Sequence, residues 1–362
     1  MSKRAINCMK KYFWIILAII LILLRWIGGM FPTSIEFVYS RGLFLGIRAI
    51  FDYTIGLLPI PMFYVFFILL IAFLVKYIKQ AFQIKKPFKQ RIGKFGFHAL
   101  RFVSIIIVWF LVTWGYNYGR IPIENQLDLT LKPLSIQEIK EETQWTTRKA
   151  IELRKLVADI DTNALGQEFL PKDLENEMRA SLKSVLAELG YPTFGRVRAR
   201  ELHPGVLLRL RTAGVYWFFV GEGNIDSGLH PLQKPFTTAH EMAHGYGFGD
   251  EGTCNFLAYL ACLKSNQAYV RYAGMLTYWR YIAREYKIRE PEKYQQFRDA
   301  NLSKGIGNDL VAIYENGQKY PSILNSVRDA TYDTYLKAQG LDDGLENYNR
   351  IVVLVNGWKR KE

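Results

Sequence analysis

The residues best equipped for chemistry stand together at His240-Glu241-Met242-Ala243-His244. Two histidines four residues apart fall one turn apart on one face of a helix, so both imidazoles reach a single ion. Glu241 then projects about 100° away. From there a carboxylate can take a proton from an activated water and return one to a leaving amine. Zinc suits this donor set: it lowers the pKa of its water to about 7 and polarises a scissile carbonyl. The spacing therefore implies metal-assisted hydrolysis, with Glu241 as general base. A competing reading makes Thr238-Ala239-His240-Glu241 a helix capping box, which spends Glu241 on the backbone. That reading leaves two of the chain's five histidines unexplained.

A catalytic zinc needs a third protein ligand, and two residues compete for the role. Asp250 completes His-Glu-x-x-His-x-x-Gly-x-x-Asp, with Gly247 turning the chain. This resembles the metzincin arrangement with aspartate in place of the usual third histidine. Glu251-Gly252-Thr253-Cys254-Asn255 instead resembles the Glu-x-x-x-Asp element of gluzincins, including the membrane-bound CAAX-prenyl endopeptidases. That resemblance implies Glu251 as the ligand, the preferred choice, and position 255 as support for a metal-binding histidine. Asn255 replaces the family's aspartate, and the gap from His244 is shorter than gluzincins use. Gly245, Gly247, Gly249 and Gly252 allow the sharp return.

Trp114-Gly115-Tyr116-Asn117-Tyr118, Gly221-Glu222-Gly223-Asn224, Pro235-Phe236-Thr237 and Tyr332-Asp333-Thr334-Tyr335-Leu336-Lys337, with the apolar segments, resemble one bacterial membrane family catalogued only as a domain of unknown function. The resemblance covers nearly the whole chain. It bears on architecture, while hydrolysis rests on the site.

Other candidates carry weaker signals. Tyr332, Tyr335 or His230 is expected to donate a hydrogen bond to an oxyanion, Tyr332 being the chosen catalytic partner. Residues 215–220 are expected to form an edge strand that holds an extended substrate, or else a core strand. His98, flanking the third span, and His203, before Pro204-Gly205, are expected to be structural or solvated. Cys254 and Cys262 lie eight residues apart in one expected helix, about 12 Å, too far for a disulfide.

The elements that must position the site divide the chain at residue 119/120. Residues 1–119 hold 15 Lys/Arg against Glu36 and Asp52, while 120–362 are near balance with 32 Lys/Arg and 31 acids. The basic excess therefore follows apolar segments, as at cytoplasmic flanks of membrane helices, and argues against nucleic acid as a partner. Three spans are expected, near 13–31, 55–75 and 102–118, with Pro59 and Pro61 in the first turns of the second and an aromatic belt at Trp114, Tyr116 and Tyr118. A further interfacial helix is expected around 35–51. Lys/Arg before the first span and between the second and third place the C-terminal domain outside a bacterial cytoplasmic membrane.

From residue 120 the expected class is α+β: a zincin-like domain with a small sheet, an active-site helix and a C-terminal helix bundle. Helices are expected at 135–160, 174–189, 238–246, 252–267, 270–286, 291–300 and 323–338, with strands at 196–200, 206–210 and 215–220. The leading expectation is a membrane-anchored zinc endopeptidase acting on a protein or peptide. An intramembrane protease fits less well, since the apolar run 255–263 is too short to span. The alternative from a different class is a non-catalytic membrane sensor or assembly protein with a structural or degenerate zinc site.

Overall fold

A computed structural model describes residues 3–83, 88–159, 162–323, 334 and 349–361. The chain is mostly helical, with a three-stranded sheet. It forms two compact units: Met1–Ile121 with Trp217–Glu222, and Pro122–Tyr216 with Gly223–Glu362.

The first unit contains three helices long and apolar enough to cross a membrane. They are α1 (Lys3–Gly29), α3 (Met62–Gln83) and α4 (Phe88–Thr113), with candidate spans at Lys10–Gly29, Met62–Lys79 and Ile92–Thr113. Between α1 and α3 runs α2, residues 32–52, whose middle portion Ile35–Leu43 is a π-helix. Two expectations need correction. Pro59 and Pro61 precede α3 rather than sitting in its first turns, because a residue before proline avoids helical ψ and proline offers no N–H. The freed backbone N–H of Met62 is taken up by the Glu222 carboxylate at 3.0 Å. The expected aromatic belt is not one either. Gly115–Gly119 forms a 3₁₀ turn, Trp114 and Tyr116 are buried, and Tyr116 Oη donates to the Leu21 carbonyl at 2.8 Å.

The segment Trp217–Glu222 belongs to this first unit although its chain neighbours do not. The Trp217 ring lies 5.2–5.6 Å from those of Phe63, Phe66 and Phe67. Phe218 meets Phe110 edge-on, and Trp109 Nε1 donates to the Phe219 carbonyl at 3.3 Å. The expected strand 215–220 therefore ends early: aromatic packing, not a ladder, claims its second half.

In the second unit, α5 (Ile136–Lys155) opens with a capping box in which Ser135 and Glu138 satisfy each other's backbone. Helix α6 (Leu174–Glu188) follows. The sheet comprises β1 (Ala199–Leu202), β2 (Gly214–Trp217) and β3 (Glu222–Asp226) in the order β1-β3-β2, with β1 and β3 parallel and Ala199 opposite Gly223. The first strand thus starts three residues later than expected, and β3 was not expected. Residues 206–210 are no strand. The buried Asp226 carboxylate gathers the backbone N–H groups of Gly205, Leu207 and Leu208 at 2.8–3.0 Å, folding this segment into a turn ending in the 3₁₀ helix Leu208–Leu210.

Five more helices are α7 (Lys234–Gly245), α8 (Glu251–Lys264), α9 (Ala268–Arg289), α10 (Pro291–Asn301) and α11 (Lys304–Gln318), and Arg350–Lys361 forms α12. The last two were not expected, and most of the expected helix 323–338 lies outside the described residues. Helix α8 is buried almost all round and packs on α6, α7, α9 and α12, as a central core helix must. Gly274 of α9 permits the close crossing: a Cβ there would lie 2.3 Å from Cys262 Cβ. A buried ion pair, Arg154 with Asp309 at 2.8 Å, ties α5 to α11, and Tyr272 Oη donates to the same carboxylate at 2.6 Å.

Candidate metal centre

Helix α7 begins at Lys234, with Pro235 in its first turn where no N–H is needed. Thr238 is therefore interior and caps nothing, which removes the capping-box reading of Glu241. The helix ends in a tight return: Gly247 takes φ 86°, and the N–H of Phe248 reaches back to the Ala243 carbonyl at 3.3 Å. That return brings the start of α8 against the last turn of α7. Asp250 caps α8, accepting from Thr253 N at 2.6 Å and from Thr253 Oγ1 at 2.7 Å, and pairs with Arg350 at 2.6 Å. Glu251, one residue on, turns inward instead.

His240, His244 and Glu251 form a buried cluster of three donors able to hold a metal ion. Of the two competing third residues, the fold brings Glu251 to the histidines and spends Asp250 on the cap. The Nε2 atoms of the histidines are 3.1 Å apart. Glu251 Oε2 is 3.1 Å from His240 Nε2 and 3.4 Å from His244 Nε2.

The histidine tautomers follow from their other nitrogens. His244 Nδ1 meets the Phe248 carbonyl at 2.8 Å, and a carbonyl only accepts, so Nδ1 carries the proton. His240 Nδ1 meets Asn255 Oδ1 at 2.9 Å and donates likewise. With that proton on Nδ1, the metal-binding form of each ring would present its Nε2 lone pair to the other ring and to a carboxylate oxygen. Three converging lone pairs repel unless a cation joins them, either a metal ion or a proton on His244. A tetrahedral ion with bonds of about 2.0–2.1 Å sets its ligands about 3.3 Å apart, so the observed triangle matches one face of such a site. Among the described residues no fourth His, Cys, Asp or Glu joins the cluster, and Cys254 Sγ sits at His244 Nδ1, 3.4 Å away on the far side.

Electrostatics agree with a cation-seeking cluster. Burial works against ionising Glu251, yet His244 and His240 overcome it and hold the carboxyl well below its usual range. Burial likewise opposes charge on His244, but Cys254 and Glu251 outweigh it and raise the imidazole well above its usual value.

Glu241 faces the sheet. A Cβ on Gly214 of β2 would come within 2.5 Å of Glu241 Oε1, and one on Gly223 of β3 within 2.9 Å of Glu241 Cβ. Its Oε2 is buried with no hydrogen-bond partner among the described residues. Burial pushes this carboxyl up to about 7, with His240 and His244 pulling the other way. Glycine inside a strand is a known sign of close approach, and Gly214 and Gly223 were the overlooked signal for this cradle.

Tyr281 of α9 was also overlooked. Its hydroxyl accepts from Asn255 Nδ2 at 3.3 Å, which completes a chain from His240 through Asn255. Nothing in the local sequence marks it. Tyr332 and Tyr335 lie outside the described residues. His230 caps the turn Pro231–Gln233, its Nδ1 accepting from Leu232 N at 3.3 Å. His203 stays exposed beside the Pro204 carbonyl, and His98 lies in α4 with its ring against Tyr77.

Neither the curated proteins nor the solved structures contain a match to this chain. One family model does match, over residues 39–356, spanning most of both units and all of the cluster. The chain belongs to the family described as Protein of unknown function (DUF3810).

Proposed function

We propose that the protein is a membrane-anchored, zinc-dependent endopeptidase with a zincin-like domain. The observation that carries this reading is the convergence of three lone-pair donors at tetrahedral spacing next to a buried carboxylate that is not a member of the triangle. His240, His244 and Glu251 would hold the ion, leaving one corner free as catalytic sites do and structural ones do not. When bound, zinc supplies Lewis acidity toward a carbonyl and lowers the pKa of water.

The chain's own residues do the rest. Glu241, raised to about 7, is matched to accept a proton near neutral pH and to return it to the leaving amine. Asn255 and the Phe248 carbonyl fix both imidazole tautomers. Strand β2 is a sheet edge, so an extended peptide can pair with it beside Glu241, where Gly214 leaves the backbone bare. Tyr281, whose hydroxyl oxygen already accepts from Asn255, has its proton to give to a developing oxyanion. The positive-inside bias supports placing the second unit outside a bacterial cytoplasmic membrane.

The test uses the full chain in detergent, assayed for metal by elemental analysis and for hydrolysis on fluorescently labelled, denatured casein. Stoichiometric zinc, chelator-sensitive cleavage, and a Glu241→Gln variant that keeps zinc but loses cleavage are the expected results. Absence of stoichiometric metal, with cleavage or stability indifferent to chelator, refutes the reading. Zinc retained at four protein ligands without cleavage would favour the structural alternative.

A further inference from the structure

Helix α2 is inside out. Its buried stripe recurs at every fourth residue as Glu36, Ser40, Phe44, Arg48 and Asp52, four of the five polar or charged. From Ile35 onward its large outward side chains are Phe37, Val38, Leu43 and Ile50, exposed by 58–71%, while Thr33 and Ser34 are exposed at its start. A helix lying on water shows the opposite pattern, and an interfacial helix keeps one polar face for the headgroups. Here Glu36, Arg48 and Asp52 are buried, and Arg41, 24% exposed, is paired with Glu36. Glu36 accepts from Arg41 Nε at 2.7 Å and from Arg120 Nη2 at 2.7 Å and Nε at 2.9 Å. Arg48 pairs with Asp52 at 3.5 Å. The π-turn sets residues five apart on one side, which aligns Glu36 with Arg41. With two acids and two bases, α2 is neutral by itself.

Its contacts also fix its direction within the first unit. A Cβ on Gly28, at the end of α1, would strike Ile35, and Gly119 lies against the same side chain. Tyr39 Oη donates to the Val112 carbonyl at 2.9 Å, and the Phe51 ring is 6.4 Å from Trp109. From Tyr39 to Phe51 the helix advances at most about 18 Å. Over that length its partners on α4 move back by only one turn, from Val112 to Trp109. So α2 runs across the C-terminal end of α4 rather than along it.

We propose that α2 is an in-plane membrane helix whose Phe37–Val38–Leu43–Ile50 face is covered by lipid acyl chains. Charges paired inward and apolar side chains outward are what a hydrocarbon surrounding selects, and α3 of the same unit likewise exposes Ile68 and Leu69. Residues 32–52 are then part of the membrane domain instead of a loop between spans. This does not depend on the peptidase reading.

The test labels the full-length Cys8→Ser protein with a nitroxide at Val38→Cys, Ile50→Cys or, as a water-facing control, Lys149→Cys; Cys254 and Cys262 are buried. Each is reconstituted in phosphatidylcholine nanodiscs and its collisions with oxygen and with a water-soluble nickel chelate are measured. The expected result is several-fold greater oxygen than nickel access at 38 and 50, and the reverse at 149. Nickel access at 38 or 50 comparable to that at 149 overturns the proposal, as does protection from both relaxers, which would mean a protein covers the face. Should a labelled variant fail to fold, Val38→Trp in brominated phosphatidylcholine gives a second reading: extra quenching relative to wild type supports lipid contact, and none refutes it.

Discussion

Replacing Asn255 by alanine tests the centre at its least obvious point. Asn255 is buried, and its Oδ1 takes the Nδ1 proton of His240 at 2.9 Å. Alanine keeps the helix but removes the side-chain acceptor of that buried N–H. An unpaired buried donor costs about 1–3 kcal/mol, and the imidazole also loses the bond that aims Nε2 at Glu251. If that cost falls on the metal-bound state, the zinc dissociation constant rises roughly 5- to 150-fold. The assay is competition between the full chain in detergent and a chromophoric zinc chelator, with the thermal midpoint of the chelated protein as a fold control. Asn255→Asp serves as the counter-test: a carboxylate accepts the same proton more strongly, so affinity should equal or exceed wild type. Wild-type zinc affinity in a folded Asn255→Ala protein would refute the reasoning, since His240 would then need no partner to be oriented.

Tyr281→Phe removes a hydroxyl that the fold does not need for packing, so zinc affinity should hold while kcat falls about 10²-fold with KM little changed; a drop in zinc affinity instead would make Tyr281 a prop for Asn255. For the chelated protein, Glu241→Gln should be increasingly the more stable form as pH rises. Burial lifts the wild-type carboxyl from 4.5 to about 7, so the folded state keeps its proton longer than the unfolded state does. Wild-type stability therefore declines between those two values, by up to about 3 kcal/mol, and the glutamine has no such decline. Parallel melting-temperature profiles from pH 4.5 to 8 for the two proteins would show Glu241 is not held unpaired. Asp309→Asn strands the buried Arg154 guanidinium and should cost about 3–5 kcal/mol in denaturant or thermal unfolding; a loss below 1 kcal/mol would mean the site takes in water.

More of the candidate site than of the sheet was legible in the sequence. His240, Glu241 and His244 announce themselves because a metal imposes a helical spacing that is local in the chain. Choosing between Asp250 and Glu251 needed the cap, since adjacent residues at a helix start differ only in which one bonds the first-turn amides. Strand β3, Glu-Gly-Asn-Ile-Asp, has no alternation, and Ile225 is its one strong strand former. It is held by distant partners: Glu222 by the Met62 N–H, and Asp226 by the amides of the 205–208 turn. Residues 206–210 carry an apolar strand-like pattern that the same aspartate overrides. Helix α12 includes Ile351-Val352-Val353-Leu354-Val355, a β-branched run that reads as a strand until burial against α8 fixes it. Helix α11 was hidden by Gly305, Gly307 and Gly317, which lower helix propensity without preventing packing. Tyr281 could not be found from sequence, because its partner lies 26 residues away.

The excursion Trp217–Glu222 has a practical consequence for anyone cutting the gene. A fragment beginning near residue 122 looks self-contained, yet it would carry Trp217, Phe218, Phe219 and Glu222 stripped of Phe63, Phe66, Phe67, Phe110 and the Met62 amide. Three aromatic rings in a row would meet water at the end of the strand whose first residue touches Glu241. Such a fragment should aggregate or misregister the strand beside its own candidate catalytic base, so an inactive soluble piece says nothing against the proposed activity. Expression and assay belong with the whole chain in detergent or lipid, where the aromatic plug keeps its socket.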